Sequence, residues 1–334
     1  MQNTQIDALC QMLAGEEPLL HYPGREAAAL LAPSIGVPTD IAALRRGPFG
    51  RLAARGPVRD LVARAGGGVV SPDALAVLAA PDAVWPTSRL GRAAQAIAAA
   101  RPWHYFRRSF AVWQADRQTW HWRQVSRPGG NLVLQMGFPA EHDIAFYRLF
   151  GPRRRGRFEC ESHPVRRKGP ITMAWARLAI PFKGACRDAD WEEDLLVEEI
   201  QSDWFRLVDH TVKRMTATPG PKGKDGLARY TAYEQAHLAL HRRDWAEATL
   251  MAVIDLARRE LGIKRLWMPQ PAAGAALKGI DGTLPPASIY TALPRRFCFE
   301  PTTDAPPFLE KPRFKTLRAL RRKGRPLFWR LELA

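Results

Sequence analysis

Residues 195–268 constrain this chain more than any other stretch. They open on a strand-like run, Leu195-Leu196-Val197-Glu198-Glu199-Ile200-Gln201-Ser202-Asp203-Trp204, and close on a second, Lys264-Arg265-Leu266-Trp267-Met268. Between them, Trp245 to Leu261 reads as an amphipathic helix. Leu250, Val253, Ile254, Ala257 and Leu261 recur at helical spacing and form one apolar face. Asp244 suits the N-cap and Gly262 the stop. Arg242 and Arg243 stand just before that expected start, where unpaired N–H groups and the positive dipole end favour a phosphate.

The charge balance bears on partners. Lys and Arg number 50 against 33 Asp and Glu, a net charge of +17. Either a polyanion such as nucleic acid is a partner, or the composition is simply Arg-rich. With 46% hydrophobic and 25% charged residues, a 334-residue chain can bury a core. No stretch approaches the roughly 20 apolar residues of a membrane span. Met1 to Gly15 has no basic start before an apolar run, so no secretory signal is expected. Cys10, Cys160, Cys186 and Cys298 are widely spaced, without a C-x-x-C pair. Reduced thiols in the cytoplasm are therefore expected, and a zinc site built on cysteines is not.

Residues 1–100 read as a helical region broken by prolines, with short helices at Ile6–Leu13, Arg25–Leu31, Arg55–Arg64 and Leu90–Ala100. Ser71-Pro72-Asp73 is a helix start. Residues 101–128 interleave aromatics (Trp103, Tyr105, Phe106, Trp113, Trp120, Trp122) with arginines, among them Arg107 and Arg108. Stacking rings and guanidinium groups suit a single-stranded nucleic acid. The period-two alternation of Trp120, Trp122 and Gln124 fits a half-buried strand pair better. Leu132–Met136, Phe158–His163 and Ile171–Ile180 read as strands joined by charged turns, and Ala145–Phe150 as a strand or short helix.

After Trp204, Phe205–Ala217 and Tyr230–His241 read as inserted helices flanking a basic loop, residues 218–226. That loop lacks the Walker spacing. His237 and His241 share a helical face, but no Glu follows His237, so packing is the expected role. From residue 306 the tail is basic. A helix is expected over Thr316–Arg322 and a strand over Leu327–Leu333, with Arg321, Arg322 and Lys323 as candidate nucleic-acid contacts.

Arg243-Asp244-Trp245-Ala246-Glu247-Ala248 resembles the [Gln/Arg]-x-x-Gly-x-[Gly/Ala] signature of the GNAT acyltransferase superfamily, with Ala246 in place of the first Gly. Ser288–Phe297 is similar to that family's late "FYxxxGF" segment. Glu199-Ile200-Gln201-Ser202-Asp203-Trp204 resembles an "EIQSDW" motif from uncharacterised domains of phage and mobile-element polyvalent proteins. The resemblance covers roughly residues 130–300. It implies an α+β fold: a mixed, mainly antiparallel sheet flanked by helices, here with a helical region over 1–100, a core over 101–305 carrying a helical insertion at 205–243, and a basic tail over 306–334.

The resemblance further implies transfer of an acyl group from acetyl-CoA or another acyl-CoA to an amine, with a nucleic-acid-associated substrate as one acceptor that the basic charge would suit. Arg242, Arg243, Asp244, Ala246, Ala248 and Ile200 are the implied cofactor-binding residues. Tyr290 matches the family's general acid, and Glu198 or Glu199 would be the base. Alternation along a strand lets only one of the two glutamates face the cleft. A non-catalytic protein of this fold, binding nucleic acid or a macromolecular assembly, is the alternative. The extra methyl of Ala246 and the roughly forty-residue insertion both point that way.

Overall fold

The computed structural model describes residues 3–21, 23–101, 103–115, 125–126, 129–166, 168–181, 193–217, 221–278, 286–309 and 315–333. The expected alternation at Trp120–Gln124 lies outside these residues. The chain divides into two compact units. One comprises Met1–Leu19, Tyr105–Thr291 and Pro301–Arg330; the other comprises Leu20–His104, Ala292–Glu300 and Leu331–Ala334. Among the described residues no helix is long and apolar enough to cross a membrane.

The Leu20–His104 unit is helical, as its proline-punctuated sequence predicts. Helices run over Arg25–Leu31, Ile41–Arg46, Gly56–Arg64, Pro72–Ala79 and Arg89–Ala99. Pro57 and Pro72 occupy first-turn positions, where a missing N–H is harmless. A two-residue ribbon pairs β2 (Thr39–Asp40) with β3 (Val69–Val70). Leu30, Leu52, Val58, Leu61, Leu75 and Val77 make its core.

The other unit is built on a mixed sheet in the order β1-β4-β5-β6-β7-β8-β10-β9. Its strands are β1 (Glu17–His21), β4 (His104–Ala115), β5 (Gly129–Gly137), β6 (Thr172–Ala179), β7 (Asp194–Gln201), β8 (Arg265–Pro269), β9 (Glu300–Thr302) and β10 (Phe328–Glu332). From β4 to β7 neighbours are antiparallel, and β7 pairs with β8 in parallel. A parallel neighbour requires a crossover, which residues 202–264 supply. The fold is thus α+β with helices flanking a mixed sheet.

Residue alternation sorts this sheet into two faces. The row Leu132, Leu134, Met136, Ala174, Ala176, Leu178, Val197 and Ile200 is apolar and buried. The Asp203–Ala217 and Ala239–Asp255 helices pack on β6, and the latter also on β7, contributing Leu250, Val253 and Ile254. Filling this core contributes about 1.5–3 kcal/mol per large apolar side chain. The opposite row, Asn131, Gln135, Trp175, Arg177, Glu199 and Gln201, is largely polar.

Several local expectations change. Helix runs without a break from Pro221 through a π-turn at Glu234–Leu238, the Ala239–Asp255 helix and a second π-turn at Leu256–Glu260. Residues 221–226 are therefore helix rather than loop, and no helix starts at Asp244. Gly262 does end the helix, at φ +62°, a left-handed conformation that a side chain disfavours. Phe158–His163 is an irregular turn, not a strand. The buried Arg155 guanidinium organises that region by donating to the carbonyls of Arg166, Gly169 and Pro170 and to Glu159. The expected C-terminal helix and strand are present at Lys315–Arg322 and β10.

Candidate functional site

The polar face is shaped by one irregularity in β7. Arg177 pairs with Glu199 and Leu178 with Val197, so Glu198 is an extra residue, a β-bulge. Regular alternation allows only one of the two glutamates on this face; the bulge places both there. Arg177 Nε donates to Glu198 Oε2 at 3.2 Å and Nη2 to Glu199 Oε2 at 2.6 Å. The Arg177 side chain is fully buried and lies 5.9 Å from the Trp175 ring.

Glu198, 1% exposed, also accepts from Asn131 Nδ2 at 2.8 Å and from the backbone and hydroxyl of Ser126. Glu199 accepts from Lys278 Nζ at 2.9 Å, at the end of the Pro271–Lys278 helix. Burial alone would raise the Glu199 carboxyl, but the charges of Lys278 and Arg177 outweigh it and hold the group below the ordinary carboxylate range. Two carboxylates and two cations thus share a nearly dry space.

Beside this cluster the pairing of β7 with β8 stops. The parallel register joins Asp194, Leu195 and Leu196 to Arg265, Leu266 and Trp267, and ends there. Tyr290, in a π-turn over Ser288–Ala292, is buried next to the unpaired part of β7. The Ile200 backbone N–H donates to its hydroxyl, and Trp329 Nε1 donates to its carbonyl at 2.8 Å. Burial and the charge of Glu199 push the phenol far above its usual range, so it stays protonated at neutral pH. Glu198, Glu199, Tyr290 and the backbone of Ile200 therefore converge in one place.

A second cluster follows at the end of β7. Ser202 Oγ caps the next helix by accepting from the Phe205 N–H, so Asp203 is its first residue rather than its cap. His163 Nδ1 donates to Asp203 at 2.8 Å, and Trp175 Nε1 donates to the other oxygen at 3.1 Å. Gln201 Nε2 and Arg206 Nη2 reach the same carboxylate at 2.6 and 2.7 Å. Burial would raise Asp203, but these bonds, His163 foremost, hold it below its ordinary value. Cys160 Sγ completes the group: its sulfur, a His163 nitrogen and an Asp203 oxygen lie within 4.8 Å of one another. The sequence does carry the signal, a C-x-x-H pair at Cys160-Glu161-Ser162-His163, which corrects the expectation that no cysteine stands in a C-x-x-C or C-x-x-H pair. Assigning that stretch to a strand hides it, because alternation would send Cys160 and His163 to opposite sides.

The other half of the resemblance-derived site does not assemble. Arg242, Arg243, Asp244, Ala246 and Ala248 lie inside the Ala239–Asp255 helix, where the N–H groups meant for a pyrophosphate are used within the helix. Arg242 pairs with Asp209 and Glu234, and Arg243 with the adjacent Asp244. The helix that directly follows β7 starts with the Asp203 carboxylate, an anion where a phosphate would sit.

Arg107 and Arg108 are likewise internal. Arg107 pairs with Asp143 and Glu16, Arg108 with Glu17 and Glu260, and their side chains are 13% and 12% exposed. Such pairs hold the sheet edge and leave little charge for a nucleic acid. Arg321, Arg322 and Lys323 are exposed, as are Arg318 and Arg325, with Arg321 also reaching Asp304 at 3.3 Å. His241 packs edge-on against Phe138, a core role.

No protein-family model, curated protein or solved structure matches this chain.

Proposed function

We propose that the chain is a GNAT-like N-acyltransferase that moves an acyl group from a thioester of the acyl-CoA kind to an amine. The observation that carries this reading is the end of the β7–β8 pairing after Leu196, with Tyr290 hydrogen-bonded to Ile200 on the unpaired part of β7 and both bulge glutamates beside it. Four antiparallel strands followed by one parallel neighbour also agree with the expected family frame.

Acyl transfer forms a C–N bond, breaks a C–S bond, and needs a proton donor for the leaving thiolate and an acceptor for the amine proton. The protonated Tyr290 hydroxyl suits the donor role. Glu199, the more open carboxylate at 18% side-chain exposure, suits the acceptor role. Its low pKa makes it a weak base, so Tyr290 carries more of the catalysis. The donor's phosphates have no clamp at Arg243, and weak donor binding follows.

Isothermal titration of acetyl-CoA into the wild type and Tyr290→Phe tests the reading. Binding, with turnover on an amine that Tyr290→Phe loses, supports it; no heat at millimolar donor sinks it.

The second reading, a non-catalytic protein of the same frame, is favoured by the unbroken helix through Arg243. Its contact surface would be the exposed cations Arg318, Arg322, Lys323 and Arg325, and its ligand a nucleic acid or other polyanion. Phosphate contacts release counterions, so a flat dependence of binding on salt would remove it.

A further inference from the structure

We propose that Cys160, His163 and Asp203 form a binding site for a thiophilic divalent cation, with Zn2+ as the fitting ion. The donor set is one sulfur, one imidazole nitrogen and one carboxylate oxygen, all within 4.8 Å of one another. Zinc–ligand distances are about 2.0–2.3 Å, which places tetrahedral ligands roughly 3.3–3.8 Å apart, so side-chain shifts of about an ångström bring all three onto one ion. A thiolate combined with imidazole selects zinc over magnesium or calcium, which prefer oxygen ligands alone.

The backbone aims these side chains. The His163 N–H donates to the Cys160 carbonyl at 3.1 Å, closing a turn that brings residues three apart to the same side. Asp203 is fixed as the first residue of the Asp203–Ala217 helix by the strand before it.

The surrounding groups hold the ligands in place, as outer-shell partners of metal sites do. Trp175 Nε1 and the Gln201 amide fix the Asp203 carboxylate, and Ser162 Oγ lies 3.0 Å from Cys160 Sγ. The His163 ring leans on Trp175 at 5.4 Å between centroids. The Gln201 amide nitrogen is also 3.0 Å from His163 Nδ1. A ring nitrogen that donates to Asp203 cannot also accept from that amide, whose N–H is directed to Asp203 instead. An ion taken up at Nδ1 would replace the proton now shared with Asp203, leaving the ring proton on Nε2.

Cys160 and His163 are half-buried, which gives an ion a way in. Arg206 pairs with Asp203 at 2.7 Å, and its side chain is 56% exposed, so it can exchange that contact for water when an ion binds. Three protein ligands leave a fourth position for water or substrate, the pattern of catalytic rather than structural zinc. On binding, the thiol proton passes to buffer.

The full-length protein, stripped with a chelator and titrated with Co2+ as an optical probe, tests the site without any acyl donor. A thiolate-to-cobalt charge-transfer band should saturate at about one ion per chain and vanish on adding Zn2+. Cys160→Ser and His163→Ala should abolish the band, and Asp203→Asn should weaken cobalt binding at least ~10-fold. Cys10→Ser should leave it unchanged. Alkylation of Cys160, followed by peptide mass analysis of the wild type, needs no variant to fold; zinc should slow it ~10-fold or more, since the bound thiolate is masked. Absence of the band in the wild type, its survival in Cys160→Ser, or equal alkylation rates with and without zinc overturns the proposal.

Discussion

The two ends of β7 use the same residue types for opposite results. At its start, Asp194 accepts from Arg265 Nε and Nη2 at 2.8 and 2.7 Å and from Trp267 Nε1 at 2.7 Å. An acid, an arginine and a tryptophan there clamp β7 to β8, and the parallel ladder forms where the clamp sits. At its far end, Glu198, Glu199 and Asp203 meet Arg177 and Trp175 from the other neighbour, β6, and no ladder to β8 remains. Acid–arginine–tryptophan sets are therefore not themselves a functional signature. What distinguishes the far end is geometry: a bulge that doubles the acids on one face, and a break in pairing beside them.

The comparison can be broken most sharply at Arg177. Arg177→Ala leaves two buried carboxylates with one cation fewer, and a loss of about 3–5 kcal/mol in urea unfolding is expected. Asp194→Ala should cost about 2 kcal/mol, because Trp267 Nε1 and Arg265 lose their acceptor. Hydrogen exchange should then quicken at Leu195 and Leu196 while Glu199 and Ile200 stay protected; uniform quickening would show that the two ends are one cooperative unit.

Tyr290→Phe should cost only about 1 kcal/mol, one hydrogen bond, while any acyl transfer falls by ~10²-fold or more. Acid sharpens the difference further. Asp203 and Glu199 have depressed folded pKa values, so the unfolded chain takes up protons first as pH falls below about 4. Their stabilisation is full above that range and is lost as pH drops through the folded values. Asp203→Asn should flatten the acid limb of a stability–pH curve. The smallest stability effect belongs to the tail: Arg322→Ala with Lys323→Ala should stay within about 0.5 kcal/mol. The same double variant should lower the salt dependence of any nucleic-acid binding, whereas Arg108→Ala should not.

Much of the frame was legible in the residues. Hydrophobic alternation located β5, β6, β7 and β8, Gly262 marked the end of the long helix, and the tail helix and β10 fell where expected. The glutamates and Tyr290 were readable as candidates, though their meeting depends on contacts about ninety residues apart. What failed has physical causes. A bulge breaks the period-two rule that decides which side chain faces where, so both glutamates on one face could not be read from spacing. Arg242 looks like a free cation before a helix start, yet its partners Asp209 and Glu234 reach it only because the helix continues through. Arg107 and Arg108 advertise positive charge locally, while acids from three distant segments neutralise them.

The bulge has a consequence for how the strand tolerates change. Removing one residue from a strand normally turns every later side chain inside out. Deleting Glu198 does not: Val197 stays opposite Leu178 and Glu199 opposite Arg177, and the seam simply closes. Glu198 behaves as an expansion joint, a place where β7 can lengthen or shorten by one codon without scrambling its faces. The register of β7 has no need of the residue there, so its role lies in what its carboxylate holds in place: Arg177, Asn131 and Ser126.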